Sequence, residues 1–290
     1  MFMTIDLDLL LKAYASGIFP MADARDDPDT FWVEPKARAI LPLDNFRMSR
    51  SLRKTIRADR FRVTVDTAFA DVIAICAEQA SDRRETWING EIEDAFNNLH
   101  QRGHAHSVEC WQMDEVSGQE RLAGGLYGLA IGGAFCGESM FSRSRDASKV
   151  ALAWLVARLK AGGFCLLDCQ FMTDHLASLG AIEISQKDYV ERLKKVRAYA
   201  PSSVSVIRSP IKSSGPLFVA GAGRAAGVAG SGRTDGATGA ATSGTVSFGA
   251  LDVLLARLDE DARGAVGSTE SPGVSSSPGK LIAQLLTQTS

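Results

Sequence analysis

Aromatic residues almost vanish from the last third of the chain: beyond Pro201 only Phe218 and Phe248 remain, and every Trp, Cys and His lies before residue 200. A stretch so short of large apolar groups has little to offset the entropy of ordering it, so about 200 of the residues are expected to fold. The region from Gly221 to Gly279, rich in Gly, Ala, Ser and Thr, reads as flexible. Within that tail, Leu251 to Leu258 and Leu281 to Leu286 read as marginal, unpacked helices. Excess charge is missing too. A net charge of −2 gives no overall attraction to a polyanion, so any nucleic-acid partner must meet a local patch.

No run of about 20 apolar residues is present, and nothing reads as a signal peptide, so a cytoplasmic protein away from any membrane is expected. Cysteine is scarce. On one strand Cys165 and Cys169 would hold their Cα atoms about 13 Å apart, at roughly 3.3 Å per residue, beyond the roughly 7 Å limit for a disulfide. They read as reduced, buried thiols. His104, His106, Glu109 and Cys110 match no closed zinc pattern, and on a strand the two histidines face away from Glu109. No metal is expected.

What the chain does have is concentrated between Gly124 and Gly180. Leu126 to Ile131 and Ala134 to Met140 read as strands joined by Gly132-Gly133, a pair that closes a two-residue hairpin. Asp146-Ala147-Ser148 then starts a helix, amphipathic by the spacing of Val150, Ala151, Trp154, Leu155 and Leu159 and stopped by Gly162-Gly163. Phe164 to Phe171 follows as a strand buried on both faces. Two polar residues interrupt it. Asp168 and Gln170 are two apart and so share a face, where burial without a partner would cost roughly 2–7 kcal/mol for a polar group and more for a charge.

Earlier in the chain, Leu7 to Ala15 reads as a helix, Arg38 to Leu43 as extended, and Phe19, Met21 and Trp32 as the core of a small domain. Met48 to Arg57 reads as a helix with Met48, Leu52 and Ile56 on one stripe and Arg50, Arg53, Lys54 and Arg57 opposite. Arg60 and Arg62 extend those cations, and only Asp59 offsets them. A polyanion site and a plain solvated face both fit. Phe61 to Val65 reads as a strand, Ala68 to Ala80 as a helix ending near Arg83-Arg84, and Thr86 to His100 as another helix. His175 to Leu179, Ile182 to Ile184 and Tyr189 to Val196 complete the pattern as helix, strand and helix.

Several short motifs occur in uninterrupted order from about residue 7 to 195: Gly17-Ile18-Phe19-Pro20, Thr86-Trp87-Ile88, Ala105-His106-Ser107-Val108-Glu109 before Trp111, Gly124-Gly125-Leu126-Tyr127-Gly128, Gly137-Glu138-Ser139-Met140-Phe141-Ser142, Asp168-Cys169-Gln170 and Ser178-Leu179-Gly180-Ala181. The ordered set resembles the leucyl/phenylalanyl-tRNA–protein transferases. That resemblance implies an α/β (α+β) architecture: a small N-terminal domain over 1–42 and an acetyltransferase-like mixed-sheet domain over 43–198. Residues 199–290 lie outside the resemblance and read from their composition as a low-complexity tail. It implies transfer of Leu or Phe from aminoacyl-tRNA to the α-amine of proteins with N-terminal Arg or Lys, marking them for degradation; an apolar pocket that selects by fit should tolerate Met as well. Neither cofactor nor metal is implied.

Position by position, the resemblance makes Asp168 and Gln170 the proton-handling pair and Glu138 a site carboxylate. Arg50, Arg53, Lys54 and Arg57 become the tRNA-binding helix. Leu126, Phe135, Met140, Leu152, Leu155 and Leu167 become the wall of the amino-acid pocket, with Trp87 and Met21 near the terminal adenosine and aminoacyl end. The chemistry fits these residues, since an aminoacyl ester is already activated and needs only a neutral amine. A positioned base contributes about 10²–10⁴-fold, and alignment of the reactants up to roughly 7–11 kcal/mol. Two other classes compete. An acyl-CoA N-acyltransferase would share the fold, but Ser142-Arg143-Ser144-Arg145-Asp146 stands where a glycine-containing phosphate cradle is needed. A non-catalytic RNA-binding module would explain the basic helix but not Asp168 and Gln170.

Overall fold

The computed structural model describes residues 5–78, 86–114, 116–197, 246–264 and 277–287. Its first helix, α1 (Leu7–Tyr14), starts where the Asp6 side chain accepts the Leu9 N–H at 2.7 Å. A two-stranded antiparallel ribbon follows, β1 (Phe19–Met21) with β2 (Phe31–Val33). Phe19 is buried, but Phe31 and Trp32 are 42% and 43% exposed, so Trp32 is not the core residue its apolarity suggested.

The main sheet comprises β3 (Ala37–Ile40), β4 (Arg62–Val65), β5 (Ala105–Met113), β6 (Glu120–Ile131), β7 (Ala134–Ser142), β8 (Leu166–Gln170) and β9 (Ile182–Ser185), in the spatial order β4-β5-β6-β7-β8-β3-β9. Every neighbouring pair is antiparallel except β7 with β8. That parallel pair requires a crossover, which α5 (Ala147–Ala161) supplies. β3, whose residues precede the expected domain boundary at 42, lies inside this sheet between β8 and β9. The expected hairpin forms, with Gly132 at φ +55° in its turn.

Further helices cover the sheet. They are α2 (Arg50–Arg57), α3 (Phe69–Ala77), α4 (Gly90–Gln101), α6 (Asp174–Ser178) and α7 (Gln186–Arg197). Three begin as their sequences dictate, with Ser49, Asn89 and Thr173 side chains accepting the N–H groups of Leu52, Ile92 and Leu176. α3 ends at Ala77, and the Arg83-Arg84 end expected for it lies outside the described residues.

One apolar cluster occupies the α5 side of the sheet and a second joins α1, α3 and α4 to the other side. The α5 helix is not amphipathic as expected. Every residue from Val150 to Leu159 is buried, because α5 is packed between the sheet and a layer made by α2, α8 (Ala250–Gly264) and α9 (Pro278–Leu285).

Those last two helices correct the reading of the tail. Leu251, Ile282, Ala283 and Leu286 are buried in the α5-side cluster rather than left unpacked. They belong to the same compact unit as the first 197 residues. Composition missed this because a few apolar residues suffice once a preformed surface receives them. The rest of the expected tail, residues 199–245, 265–276 and 288–290, lies outside the described residues.

Candidate active site

Asp168 sits in the middle of β8, wholly buried. Its carboxylate is gripped by Arg38 of β3, with Nε at 2.9 Å from Oδ1 and Nη2 at 2.6 Å from Oδ2. The Tyr189 hydroxyl of α7 donates to Oδ2 at 2.9 Å, and the Gln170 N–H donates to Oδ1 at 2.9 Å. Arg38 is itself clamped between the rings of Phe19 and Tyr189, 4.7 and 4.5 Å from its guanidinium carbon, and donates to the Gly17 carbonyl. An ion pair removed from water persists only with such geometry and extra donors. Burial pushes the Tyr189 hydroxyl up, keeping it a neutral donor.

Gln170 closes the strand in a left-handed conformation, φ +61°, which a side chain adopts only when its surroundings hold it there. Two bonds do so: its N–H to Asp168, and its Nε2, donating to Glu138 Oε2 at 2.7 Å. The strict alternation expected of Asp168 and Gln170 is therefore broken at the second residue. Glu138 comes from β7 at a bulge, where Gly137 pairs with Gly128 and Ser139 with Tyr127, leaving Glu138 without a cross-strand partner.

Burial raises the Glu138 carboxyl to about 8; hydrogen bonding from Gln170 and Tyr14 and the charge of Arg38 pull it down, while Asp168 pushes it up. The Tyr14 hydroxyl stands beside it as a weak donor, and Glu138 Oε1 has no partner at close hydrogen-bond distance among the described residues. A buried carboxyl oxygen so weakly satisfied is costly. It can accept a stronger donor. Arg38, Tyr14 and Tyr189 escaped the sequence reading, although Arg38 left a signal as the single cation in Ala37-Arg38-Ala39-Ile40-Leu41.

The six expected wall residues come together on the α5 side of the sheet. Leu126, Phe135, Leu152, Leu155 and Leu167 are buried in one cluster and Met140 packs against it. Phe135 lies so close over Gly128 that a Cβ there would meet its ring at 2.5 Å. Tyr14 and Cys136, which neighbour Glu138, belong to the cluster on the opposite side. The wall and the neighbours of Glu138 thus lie on opposite sides of the sheet and are linked through β7, where Glu138 and Met140 flank Ser139 at the bulge. Trp87 and Met21 are partly buried against the second cluster, joined through the hydrogen bond from Ala22 N to the Trp87 carbonyl.

Arg50, Arg53, Lys54 and Arg57 are exposed on α2 and line one concave surface with Met48 and Ala58. None of the four makes an ion pair among the described residues. Arg62 does not extend that patch as a free cation, because Glu120 holds it through hydrogen bonds at 2.8 and 2.6 Å. Glu109 is bonded to Thr64, Thr67 and Ser107, and His106 to Asp66 at 2.8 Å.

The family model described as leucyl/phenylalanyl-tRNA protein transferase matches residues 40–194, and the model of that family's N-terminal domain matches residues 3–36. The chain belongs to this family. A leucyl/phenylalanyl-tRNA–protein transferase of Rhizorhabdus wittichii is 66% identical to it over 189 residues, covering 65% of this chain and 74% of that one. One of Novosphingobium aromaticivorans is 48% identical over 285 residues, covering 98% and 96%. The transferase is an aminoacyltransferase, moving an aminoacyl group from tRNA to protein. Its described helices include none long and apolar enough to cross a membrane.

Proposed function

We propose that this transferase moves leucine or phenylalanine, and methionine as well, from aminoacyl-tRNA to the α-amine of proteins that begin with Arg or Lys. The product is marked for degradation, and the reaction takes place in the cytoplasm. One observation carries the chemistry: the buried line Arg38–Asp168–Gln170–Glu138 ends at a carboxyl oxygen whose nearest donor, the Tyr14 hydroxyl, lies beyond close hydrogen-bond distance. An incoming ammonium is a donor suited to it.

In the reaction the amine nitrogen attacks the ester carbonyl. A C–N bond forms, the C–O bond to the ribose breaks, and the amine loses a proton while the ribose oxygen gains one. An α-ammonium loses its proton near 7.7–8, close to the value of about 8 for Glu138, so a proton shared between them moves at little cost. Glu138 in its ionised form receives the cationic acceptor, and Gln170 orients Glu138. Asp168, having no exposed oxygen, acts through Gln170 as a positioning residue.

Leu126, Phe135, Met140, Leu152, Leu155 and Leu167 form the apolar wall that receives the side chain, selecting by fit at about 1–3 kcal/mol per methylene. Trp87 and Met21 meet the aminoacyl-adenosine end, and the four cations of α2 hold the tRNA backbone through charge. The test is transfer of labelled leucine from Leu-tRNA to two peptides that differ only in beginning with Arg or Ala. Transfer to the Arg peptide alone, lost in Glu138→Ala while tRNA binding persists, is the expected result. Equal transfer to both peptides would remove the acceptor assignment.

A further inference from the structure

Residues 246–252, Val-Ser-Phe-Gly-Ala-Leu-Asp, come from the stretch whose composition argued against folding, yet they are fastened at every turn. Ser247 donates its N–H to the Gly162 carbonyl at 3.0 Å. A Cβ on Gly162 would lie 2.2 Å from the Ser247 carbonyl oxygen, so the approach exists only because residue 162 is glycine. Arg158, buried near the end of α5, donates to the Phe248 carbonyl at 2.8 Å and forks onto Asp252 at 2.7 and 2.5 Å. Leu251 is fully buried beside them.

These fastenings deliver one aromatic ring to one place. Phe248 lies nearly parallel to Phe135, centroids 5.5 Å apart at 9°, and nearly parallel to the His106 ring at 4.1 Å and 21°. Phe164 meets it edge-on at 6.3 Å, and the Arg158 guanidinium stands 5.1 Å from its centroid. Phe135 is therefore held from two directions. Gly128 lies beneath its ring at a separation no Cβ could share, and Phe248 stacks against it. Gly128 therefore bounds the Phe135 ring from β6, and Phe248 bounds it from the C-terminal segment.

We propose that Phe248, carried in by the C-terminal segment, is a specificity-determining positioning residue that sets the depth of the aminoacyl pocket by backing Phe135. The proposal rests on the reading that Phe135 lines that pocket. It assigns the C-terminal segment a part in choosing the amino acid, since the ring it contributes fixes how far the wall recedes.

The test measures kcat/KM of the full-length chain for Phe-tRNA and Leu-tRNA with one Arg-initiated peptide. Phe248→Ala should raise the Phe-to-Leu ratio about tenfold, the low end of the discrimination expected when an apolar pocket gains roughly a methylene of depth. Phe248→Trp should press Phe135 inward and lower the ratio. Asp252→Ala, which loosens the segment but keeps the ring, should raise it by less. Shifts of opposite sign cannot arise from lost stability, which would lower both substrates together. An unchanged ratio in folded Phe248→Ala and Phe248→Trp, with melting temperatures to establish folding, would overturn the proposal. So would an equal fall for both substrates. Should the wild-type chain transfer neither amino acid, the underlying reading of the reaction falls instead.

Discussion

Arg38 and Asp168, 130 residues apart in sequence, form a doubly bonded ion pair whose side chains are 2% and 0% exposed. The pair ties β3 to β8 and fixes the carboxylate that positions Gln170. Replacing Arg38 by Met should strand a buried charge and cost about 3–5 kcal/mol in urea unfolding. Arg38→Met combined with Asp168→Leu should recover most of that loss, because both charges are then gone, but should restore no transfer. Recovery of transfer in the double variant would show that the pair serves the fold alone.

Glu138 gives a pH-dependent prediction with a definite sign. Its folded value of about 8 lies above the ordinary 4.5, so between those limits the native state keeps a proton that the unfolded state has released. Stability attributable to this group is therefore complete below about pH 4.5 and declines as pH rises toward 8. Arg38, Asp168, Gln170 and Tyr14 surround the Glu138 carboxyl, and the comparison changes none of them. Glu138→Gln should flatten that decline and melt higher than wild type at pH 8–9, while transfer falls. A parallel pair of melting curves against pH would contradict the assignment.

For α2, reversing Arg53 and Lys54 to Glu should weaken tRNA binding across all sequences. It should also make the dependence on salt shallower, by about one unit of slope for each phosphate that is no longer neutralised. Thermal stability should change little, as both side chains are exposed. Filter binding at several salt concentrations checks this, and unchanged affinity at low salt would take the helix out of the interface.

Gly279 starts α9 against α2. A Cβ there would lie 1.9 Å from the Ile56 carbonyl oxygen, and its N–H donates to Asp59 Oδ1 at 2.7 Å. Gly279→Ala should force α9 away, at about 1–3 kcal/mol. Hydrogen exchange should show protection falling over residues 278–285 first, and the melting temperature should drop by several degrees. Undiminished protection there would refute the close approach.

Local chemistry made much of this legible. Gly132-Gly133 announced the hairpin, Asn89 and Thr173 announced helix starts, and a carboxylate in an apolar strand announced Asp168. What escaped depends on strand order. Arg38 becomes the partner of Asp168 only because β3 inserts beside β8, and nothing within either segment encodes that neighbour. The positive φ of Gln170 is likewise held by bonds to residues 2 and 32 positions away rather than by its own preference. Periodicity made α5 look amphipathic because Ala153, Ala157 and Arg158 do not read as apolar anchors. They are buried because further layers cover them, and Arg158 because Asp252 arrives.

The docking of α8 and α9 has a consequence for synthesis. Asp59 waits 220 residues for Gly279, and Arg158 waits 94 for Asp252. At about 5–20 residues per second, the first of these delays is about ten to forty seconds. Throughout it, a nascent chain on the ribosome carries α2, and for its later part α5 as well, with outer apolar surfaces uncovered. Residues translated long after both helices are the ones that seal them.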